Sequence, residues 1–536
     1  MEIPLFGGIP VIVLWLMAAA IFLTVWLRFQ PITGLKHSID VIRGRYTAKT
    51  DPGQVSTFQA LSTELSGTVG LGNIAGVAVA IGVGGPGAAL WIALFGLLAM
   101  SVKMAEATLG VMYRTVREDG STVGGPQLYL RDGLASIGFP KLGRVLAPIY
   151  AITAVVGVFG AGNLFQANQV AAIVVDSSGR SFLDGNRWII GLVMAALAAI
   201  VILGGVTQIA RWTACITPAM AVLYVACILT ILVLNAPAIP GAAAAIVQGA
   251  FTGAGVTGGV IGVAVAGIQR APFSNAAGIG SAGMAHSASK TKSPSTEGFA
   301  AMWEPLVDSV IVCTLTALAI TVTGVFEGAG ADSDGIAMTA RAFGTVTGWF
   351  PVLLTVAVVL FGFSTVLSYA YYGELNARFL FGDSRGVTLG FRILWVLAVI
   401  VGASITLDAV IAFSDAMFFL MSVPNLLGIY FLAKVLRLEI LRHRTRVEVG
   451  TVEEVPEDLC VGIGSHDPTP QQVEQAERAD HEEAERLQEL RRTLGADENW
   501  SHHDELGRQL DDQGRLVDDQ GRLVNEEGST GSTRTA

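Results

Sequence analysis

Charge is the first thing this sequence is short of: 15% of its 536 residues are Asp, Glu, Lys or Arg, against roughly 25% in an ordinary soluble domain. With 52% hydrophobic residues and a mean hydropathy of +0.57, that shortage excludes a water-soluble globular enzyme. Cysteine is scarce too. Cys215, Cys227, Cys313 and Cys460 have neither paired nor metal-type spacing, which excludes a disulfide framework and a zinc site. Seven histidines are scattered along the chain. There is no phosphate loop, no catalytic carboxylate pair and no nucleophile with a positioned base, so the chain reads as no enzyme, with no cofactor and no nucleic-acid partner. Met1 to Arg28 lacks a basic leader and a small-residue cleavage site, and reads as a retained helix.

What is abundant is apolar length. Runs of about 20 residues recur from Gly8 to Val435, each enough to cross a hydrocarbon core roughly 30 Å thick. Hydropathy and breaker residues predict eleven spans, at 8–28, 58–84, 87–110, 146–175, 187–205, 213–236, 260–288, 299–323, 349–372, 391–407 and 410–435. The fold class is therefore all-α integral membrane. Basic residues gather after span 1 (Arg28, Lys36, Arg43, Arg45, Lys49) and span 3 (Arg114, Arg117, Arg131, Lys141, Arg144), which places both loops inside. The loop at 237–259 has no base, and that at 324–348 sets Arg341 against Glu327, Asp332 and Asp334, so both face out. Lys290, Lys292, Arg378, Arg385 and the bases from Arg437 to Arg446 agree; Arg180 and Arg187 do not. The expected location is the plasma membrane, with the N-terminus outside and the C-terminus inside.

The formal net charge of -10 is uneven. Residues 451–536 hold 22 acids and 8 bases, leaving 22 acids and 26 bases before them. Thr469 to Leu494 is able to form a charged helix with a sparse seam at Val473, Leu487 and Leu490. From Asp511 a heptapeptide, Asp-Asp-Gln-Gly-Arg-Leu-Val, appears twice and then degenerates. The tail is expected to be solvated and partly disordered; a module binding an unknown partner is the alternative.

Span 2 carries Gly67, Gly70 and Gly72 near its middle, each costing about 1 kcal/mol of helix stability relative to alanine. Such a cluster at bilayer depth fits either an unwound segment beside a cavity or close helix packing. Ser66, Thr68 and Asn73 beside it favour the unwound segment. One half-helix then ends in open carbonyls suited to Na⁺, and the next begins with the amides of Gly72, Asn73 and Ile74, suited to a carboxylate. Span 7 repeats the design with Pro272, Gly278, Gly280 and Gly283. The second break is expected at 274–281, with the glycines from Gly253 to Gly262 as the alternative. Five spans run from 2 to 6 and five from 7 to 11, so the interrupted helices open two halves of opposite topology. The expected organisation is an N-terminal helix and basic loop (1–57), a first repeat (58–236), an outer loop (237–259), an inverted second repeat (260–436) and an acidic inner tail (437–536).

At these residues the sequence resembles the alanine or glycine:cation symporter family. The likeness is carried by Gly-Thr-Val-Gly-Leu-Gly-Asn-Ile-Ala-Gly-Val (67–77), Gly-Gly-Pro-Gly (84–87), Gly-Asn then Gln-Ala-Asn (162–168), and Phe-Ser-Asn-x-Ala-Gly-x-Gly-Ser (273–281). Val-Asp-Ser-x-Ile-Val-Cys-Thr-x-Thr-Ala-Leu (307–318) and Phe-Ser-Thr followed by Tyr-Tyr-Gly-Glu (363–374) extend it over most of residues 55–435. The resemblance implies a leucine-transporter-like fold, a five-plus-five inverted repeat preceded by one extra helix. It also implies symport of a small neutral amino acid, alanine or glycine, with Na⁺ or H⁺ as coupling ion. Thr68, Gly70, Gly72, Asn73, Gln166, Phe273, Asn275 and Tyr369 would then face the substrate. Ser66, Val69, Ser364 and Thr365 would hold Na⁺. Tyr369 stands where relatives often have Trp.

Two departures concern charge. The family commonly has glutamate where this chain has Ala276, and this chain has Glu64 where relatives usually have a small residue. An acid at bilayer depth costs several kcal/mol unless paired or protonated. Glu64 is therefore expected either to replace the missing acid, near Arg270 or the cation, or to reach the cytoplasmic interface. Asp308 and Glu304, one turn apart, are expected to pair with Arg270 and hold span 7 against span 8, with direct substrate contact as the alternative, and Lys103 and Glu106 to snorkel to the inner interface. Two further readings are a proton-coupled permease that uses Glu64 and a transporter-like sensor that signals through its tail.

Overall fold

The computed structural model describes residues 2–3, 9–118, 120–179, 181–252, 259–327 and 335–449. The expectations for Cys460, the tail, Arg180, Asp332 and Asp334 fall outside them. The protein is mostly helical. In chain order the principal helices are α1 (Val11–Trp26), α2 (Thr57–Thr68), α3 (Gly72–Gly84), α4 (Ala88–Met112), α5 (Pro140–Ser178), α6 (Trp188–Ile202) and α7 (Gly205–Leu234). They continue as α8 (Ile239–Thr252), α9 (Gly259–Asn275), α10 (Ser281–His286), α11 (Pro294–Val322), α12 (Gly335–Gly344), α13 (Pro351–Phe381), α14 (Arg385–Ser404) and α15 (Leu407–Val449).

Local chemistry sets several of these ends. Ser56 and Gln59 form a reciprocal cap at the start of α2: the Gln59 amide donates to Ser56 Oγ (3.1 Å) and the Ser56 amide to Gln59 Oε1 (2.9 Å). Pro140, Pro294 and Pro351 each sit in a first turn, where the missing N–H has no partner to lose. Helices α5 and α11 widen into π-helical turns at Gly160–Leu164 and Leu306–Val312, and α3 begins with one at Gly72–Gly76. Each carries polar residues into the middle of the bundle.

Among the described residues, seven helices are long and apolar enough to cross a membrane, or eight when α2 and α3, bent by 47° at their junction, count as one span. With 16 and 15 residues, α1 and α6 are shorter apolar helices. Outward faces carry Ile149, Ile152, Leu197, Ile200, Val222 and Val233, all exposed, while polar side chains such as Asn73, Lys103, Glu106 and Asp308 are fully buried. This inverts the water-soluble pattern and suits hydrocarbon as the outer solvent. The protein is a multi-pass membrane protein.

Two expected loops are helical. Residues 239–252, inside the segment expected as an outer loop, form α8, an alanine-rich helix without charge that buries its own Ala242, Ile246 and Ala250 on one face. The 324–348 segment holds α12, which buries Ile336, Met338 and Phe343 and donates Thr339 Oγ1 to the Ile74 carbonyl (3.3 Å).

Candidate functional site

Span 2 is interrupted where its glycines cluster. Helix α2 ends at Thr68, Val69 turns the chain off the axis, and α3 starts at Gly72. The Gly70 amide donates to Asn73 Oδ1 (2.9 Å) and the Asn73 amide to the Gly70 carbonyl (3.1 Å), closing the turn on itself. The second interruption covers Ala276 to Gly280, between α9 and α10. Ala276, Gly278 and Gly280 all have positive φ (52°, 94° and 87°), which only glycine adopts freely. Placing Ala276 there is offset by the contacts around it: its amide donates to the Pro272 carbonyl (2.8 Å), and the Ala277 amide to Asn275 Oδ1 (2.9 Å).

A carboxylate does serve the second break, and it is that of Glu106 on α4. Its Oε1 accepts from the amides of Gly278 and Gly280 (2.9 Å each) and from Asn425 Nδ2 (2.8 Å). Tyr150 adds a hydrogen bond to the Ile279 carbonyl (2.7 Å). The two breaks are also bolted together. Asn73 Nδ2 and the Ser274 hydroxyl both donate to the Asp308 carboxylate in the π-helical turn of α11, beside Ser309.

Beside the first break lies a small cavity of about 10 Å³, lined by Gly67, Thr68, Gly70, Leu71, Gly72, Ala161, Phe165, Gln166, Phe273, Tyr369 and Phe418. It takes in Thr68, Gly70, Gly72, Gln166, Phe273 and Tyr369 from the expected set. Asn73 and Asn275 do not line it: their amides are spent on Asp308 and on Ser309 (2.9 Å), because an unwound backbone must be held somewhere. No motif marked Phe165 or Phe418; Phe418 lies on α15 and stacks on Phe273 at 5.2 Å between centroids. No charged side chain lines the cavity. Gln166, 6% exposed, donates Nε2 to the Ala161 carbonyl (2.9 Å), while its buried Oε1 has no hydrogen-bond partner among the described residues.

On one flank of the cavity a hydroxyl row from α13 meets the end of α2. Thr365 Oγ1 (3.0 Å) and Ser364 Oγ (3.4 Å) donate to the Ser66 carbonyl, and Ser368 Oγ donates to the Thr63 carbonyl (2.7 Å). Ser66, Ser364 and Thr365 are thus brought together, and both hydroxyls are equally within reach of the Phe361 carbonyl of their own helix (2.9 Å from Thr365 and 3.0 Å from Ser364). Val69 closes the last turn of α2, its amide donating to the Leu65 carbonyl (2.7 Å). Carbonyl and hydroxyl oxygens are the donor set a hard monovalent cation takes.

The charges are arranged otherwise than expected. Glu64 reaches neither Arg270 nor an interface. It is fully buried against Lys103, whose ammonium it pairs with, and accepts hydrogen bonds from Ser281 and Tyr372. Lys103 also faces Glu304 at 3.1 Å, so neither Lys103 nor Glu106 snorkels; both are fully buried. Arg270 pairs with Asp415 on α15 (3.3 Å), not with Asp308 or Glu304. Sequence supplies the acids and bases but not the adjacency of helices.

The two ends of the site differ. Toward Thr57, the buried carboxylates, Lys103 and His286 seal the bundle. Toward Gly84, Phe165, Phe273 and Gly72 also line a second space, of about 30 Å³, that borders the Arg270–Asp415 pair. Gln169 and Leu407 in turn line both this space and a hollow of about 560 Å³ bordered by Asp176, Asp184 and Arg187.

A membrane-embedded, uncharged cavity between two interrupted helices is the architecture of a secondary transporter. The sodium:alanine symporter family profile matches residues 3–456, and the chain belongs to that family. It is 37% identical over 428 residues to the sodium/alanine symporter AgcS of Methanococcus maripaludis, covering 80% of this chain and 92% of that one. It is 30% identical over 426 residues to the probable sodium/glutamine symporter GlnT of Bacillus subtilis, covering 79% and 86%. In fold it is similar to MhsT, crystallised in complex with L-phenylalanine: TM-score 0.52 at 14% identity, covering 73% of this chain and 99% of that one.

Proposed function

We propose that the protein couples the inward movement of Na⁺ to uptake of a small neutral amino acid, alanine or glycine, by alternating access. The observation that carries this reading is the orphaned Oε1 of Gln166, a buried acceptor in a cavity without charged walls. It suits the ammonium of a zwitterion, whose carboxylate would lie at the α3 N-terminus near Leu71 and Gly72, where the helix dipole is positive. Aromatic walls from Phe165, Phe273, Tyr369 and Phe418 close on the cavity in this conformation, and the space would widen to take a short side chain.

Na⁺ would sit where the Ser66 carbonyl meets the Ser364 and Thr365 hydroxyls, which must rotate to turn lone pairs toward it. Because the α2 end contributes to both places, each occupant holds the shared backbone in the geometry the other needs, and their binding is mutually reinforced. At 100 mV one positive charge contributes about 2.3 kcal/mol, or roughly 50-fold accumulation of a neutral solute.

In the proposed topology the Thr57 side is cytoplasmic and the Gly84 side extracellular, with eleven spans, the N-terminus outside and two inverted five-span halves at 58–236 and 260–436. The spaces that border Arg270, Asp415 and Asp184 then lie on the outer side of the cavity. Labelled-alanine uptake into proteoliposomes under an imposed Na⁺ gradient tests the reading. Uptake that rises with the inward gradient is expected; flux indifferent to Na⁺ would overturn it.

A further inference from the structure

Helix α1 ends at Trp26, whose indole donates to the Ala433 carbonyl of α15 (2.8 Å) and carries the Arg437 guanidinium 4.8 Å over its ring. A tryptophan ending an apolar helix beside a basic side chain marks a membrane boundary. Beyond it the chain turns sharply, with positive φ at Arg28 and Phe29 (54° and 56°), into the short helices Gln30–Thr33 and Leu35–Ile42. Phe29, Ile32 and Ile39 on this segment are exposed, as rings and branched chains are where they meet acyl chains. Helix α15 runs alongside: its Arg444 donates to Gln30 Oε1 (3.2 Å) and to Thr33 Oγ1 (2.9 Å).

Between this turn and α15 lies a pocket of about 280 Å³, against roughly 30 Å³ for one water in the liquid. Phe299 of α11 and Tyr46 wall it together with His37, whose ring stands 5.0 Å from each of theirs. Three charged side chains line it, Lys36, Arg444 and Asp40. The acid is answered by Arg45 (3.3 Å) and Arg43 (4.0 Å), whereas Lys36 is exposed and makes no ion pair among the described residues. Gln30 also lines the pocket, and with its Oε1 taken by Arg444 it has only N–H groups left to offer a ligand. The site is thus positive and rich in donors, set at a membrane boundary and flanked by exposed apolar side chains. Those are the needs of a phosphodiester whose acyl chains stay in the bilayer. A zwitterionic lipid would bring its own cation toward Lys36 and Arg444; a lipid with a net negative charge would not.

We propose that this pocket binds the phosphate of one anionic phospholipid from the surrounding bilayer, held by Lys36 and Arg444, with its acyl chains along Phe29, Ile32 and Ile39. The bound lipid fastens the exit of α1 to α15 and to Phe299 of α11. In the proposed topology the lipid belongs to the cytoplasmic leaflet, and only that choice of leaflet rests on the transport reading.

The test titrates full-length protein in neutral detergent with phosphatidylglycerol, phosphatidylcholine and inorganic phosphate in turn, counting bound molecules by native mass spectrometry and following the melting temperature. One phosphatidylglycerol is expected to bind at least tenfold more tightly than phosphatidylcholine and to raise the melting temperature. Lys36→Gln should weaken its binding about fivefold, the factor that corresponds to roughly 1 kcal/mol for one basic residue near an anionic surface. Lys36→Gln/Arg444→Gln should weaken it further; because Arg444 also holds Gln30 and Thr33, the single variant keeps the test decisive should the double one fold poorly. Lys141→Gln, at an exposed position in another basic loop, should bind as the wild type does. Equal affinity for the two lipids, an equal loss in Lys141→Gln, unchanged binding in Lys36→Gln, or inorganic phosphate binding as tightly as phosphatidylglycerol would each overturn the proposal. No flux enters the measurement, so uptake indifferent to Na⁺ would count against the transport reading alone.

Discussion

Gly72 and Phe273 meet backbone to backbone: a Cβ at Gly72 would stand 2.3 Å from the Phe273 carbonyl oxygen. This contact seats the first break on the second helix pair, and neither side is a flexible side chain that could yield. Gly72→Ala is therefore expected to lower alanine uptake at least tenfold and to lower the melting temperature in detergent. Gly76→Ala, whose Cβ meets nothing within 4 Å, should leave both near wild type. Equal behaviour of the two variants would contradict the contact.

Removing Lys103 should be worse than removing its whole pair. Lys103→Met leaves Glu64 and Glu304 buried without their ammonium, and breaking one partner of a buried pair costs about 3–5 kcal/mol. In the Lys103→Met/Glu64→Gln double variant part of that loss should return. Thermal unfolding of the purified single and double variants reads the coupling directly; additive losses would argue against it.

The Thr365 hydroxyl is the closer of the two α13 donors to the Ser66 carbonyl. Thr365→Val keeps the shape and removes the oxygen, so the Na⁺ concentration for half-maximal uptake should rise about tenfold, in line with about 1.4 kcal/mol for one ligand. Thr365→Ser should stay within about twofold of wild type. Sodium titrations of uptake at fixed alanine decide it.

Tyr369 sets the size of the cavity from one side and packs over Gly162, where a Cβ would come within 2.2 Å of its ring. Tyr369→Ala should admit larger neutral amino acids, visible as competition of labelled-alanine uptake by leucine or methionine. Gly162→Ala should push the ring into the cavity and weaken alanine binding. Unchanged competition profiles would remove Tyr369 from the proposed wall.

His37, on the short helix Leu35–Ile42, lies with its Nε2 3.0 Å from Nε2 of His443. Burial holds its pKa below the ordinary value, more than Asp40 raises it. Because the folded chain binds that proton less readily than the unfolded one, stability is complete above a pH of about 6.5 and declines as pH falls below it. Melting temperatures from pH 8 to 5 should fall less steeply in His37→Gln than in the wild type.

Much of the site could be read from the chain because its chemistry is local. The glycine cluster beside Ser66, Thr68 and Asn73 located the first break and Pro272, Gly278, Gly280 and Gly283 the second, since loss of helix propensity and the capping of loose ends act within a few residues. The cavity residues Thr68, Gly70, Gly72, Gln166, Phe273 and Tyr369 lie within motifs of the same kind. Phe418 stands in an ordinary apolar stretch, where nothing separates a cavity wall from a lipid-facing ring, and Phe165, though it lies between the Gly-Asn and Gln-Ala-Asn of 162–168, is not singled out by them because an apolar ring carries no polar signal of its own. Asn73 and Asn275 look like ligands in sequence, yet an unwound backbone consumes them in holding itself together.

The amino-acid sequence alone determined that this chain lives in a bilayer, is helical and is interrupted twice. Those properties follow from composition, from period and from the short-range preferences of glycine and proline. Which acid meets which base was decided only by the tertiary structure. Glu64 went to Lys103, Glu106 to the amides of Gly278 and Gly280, Arg270 to Asp415, and His286 between Glu297 and Glu304. Coulombic attraction is long-ranged at low dielectric and indifferent to separation along the chain, so its pairings are fixed by how the helices pack.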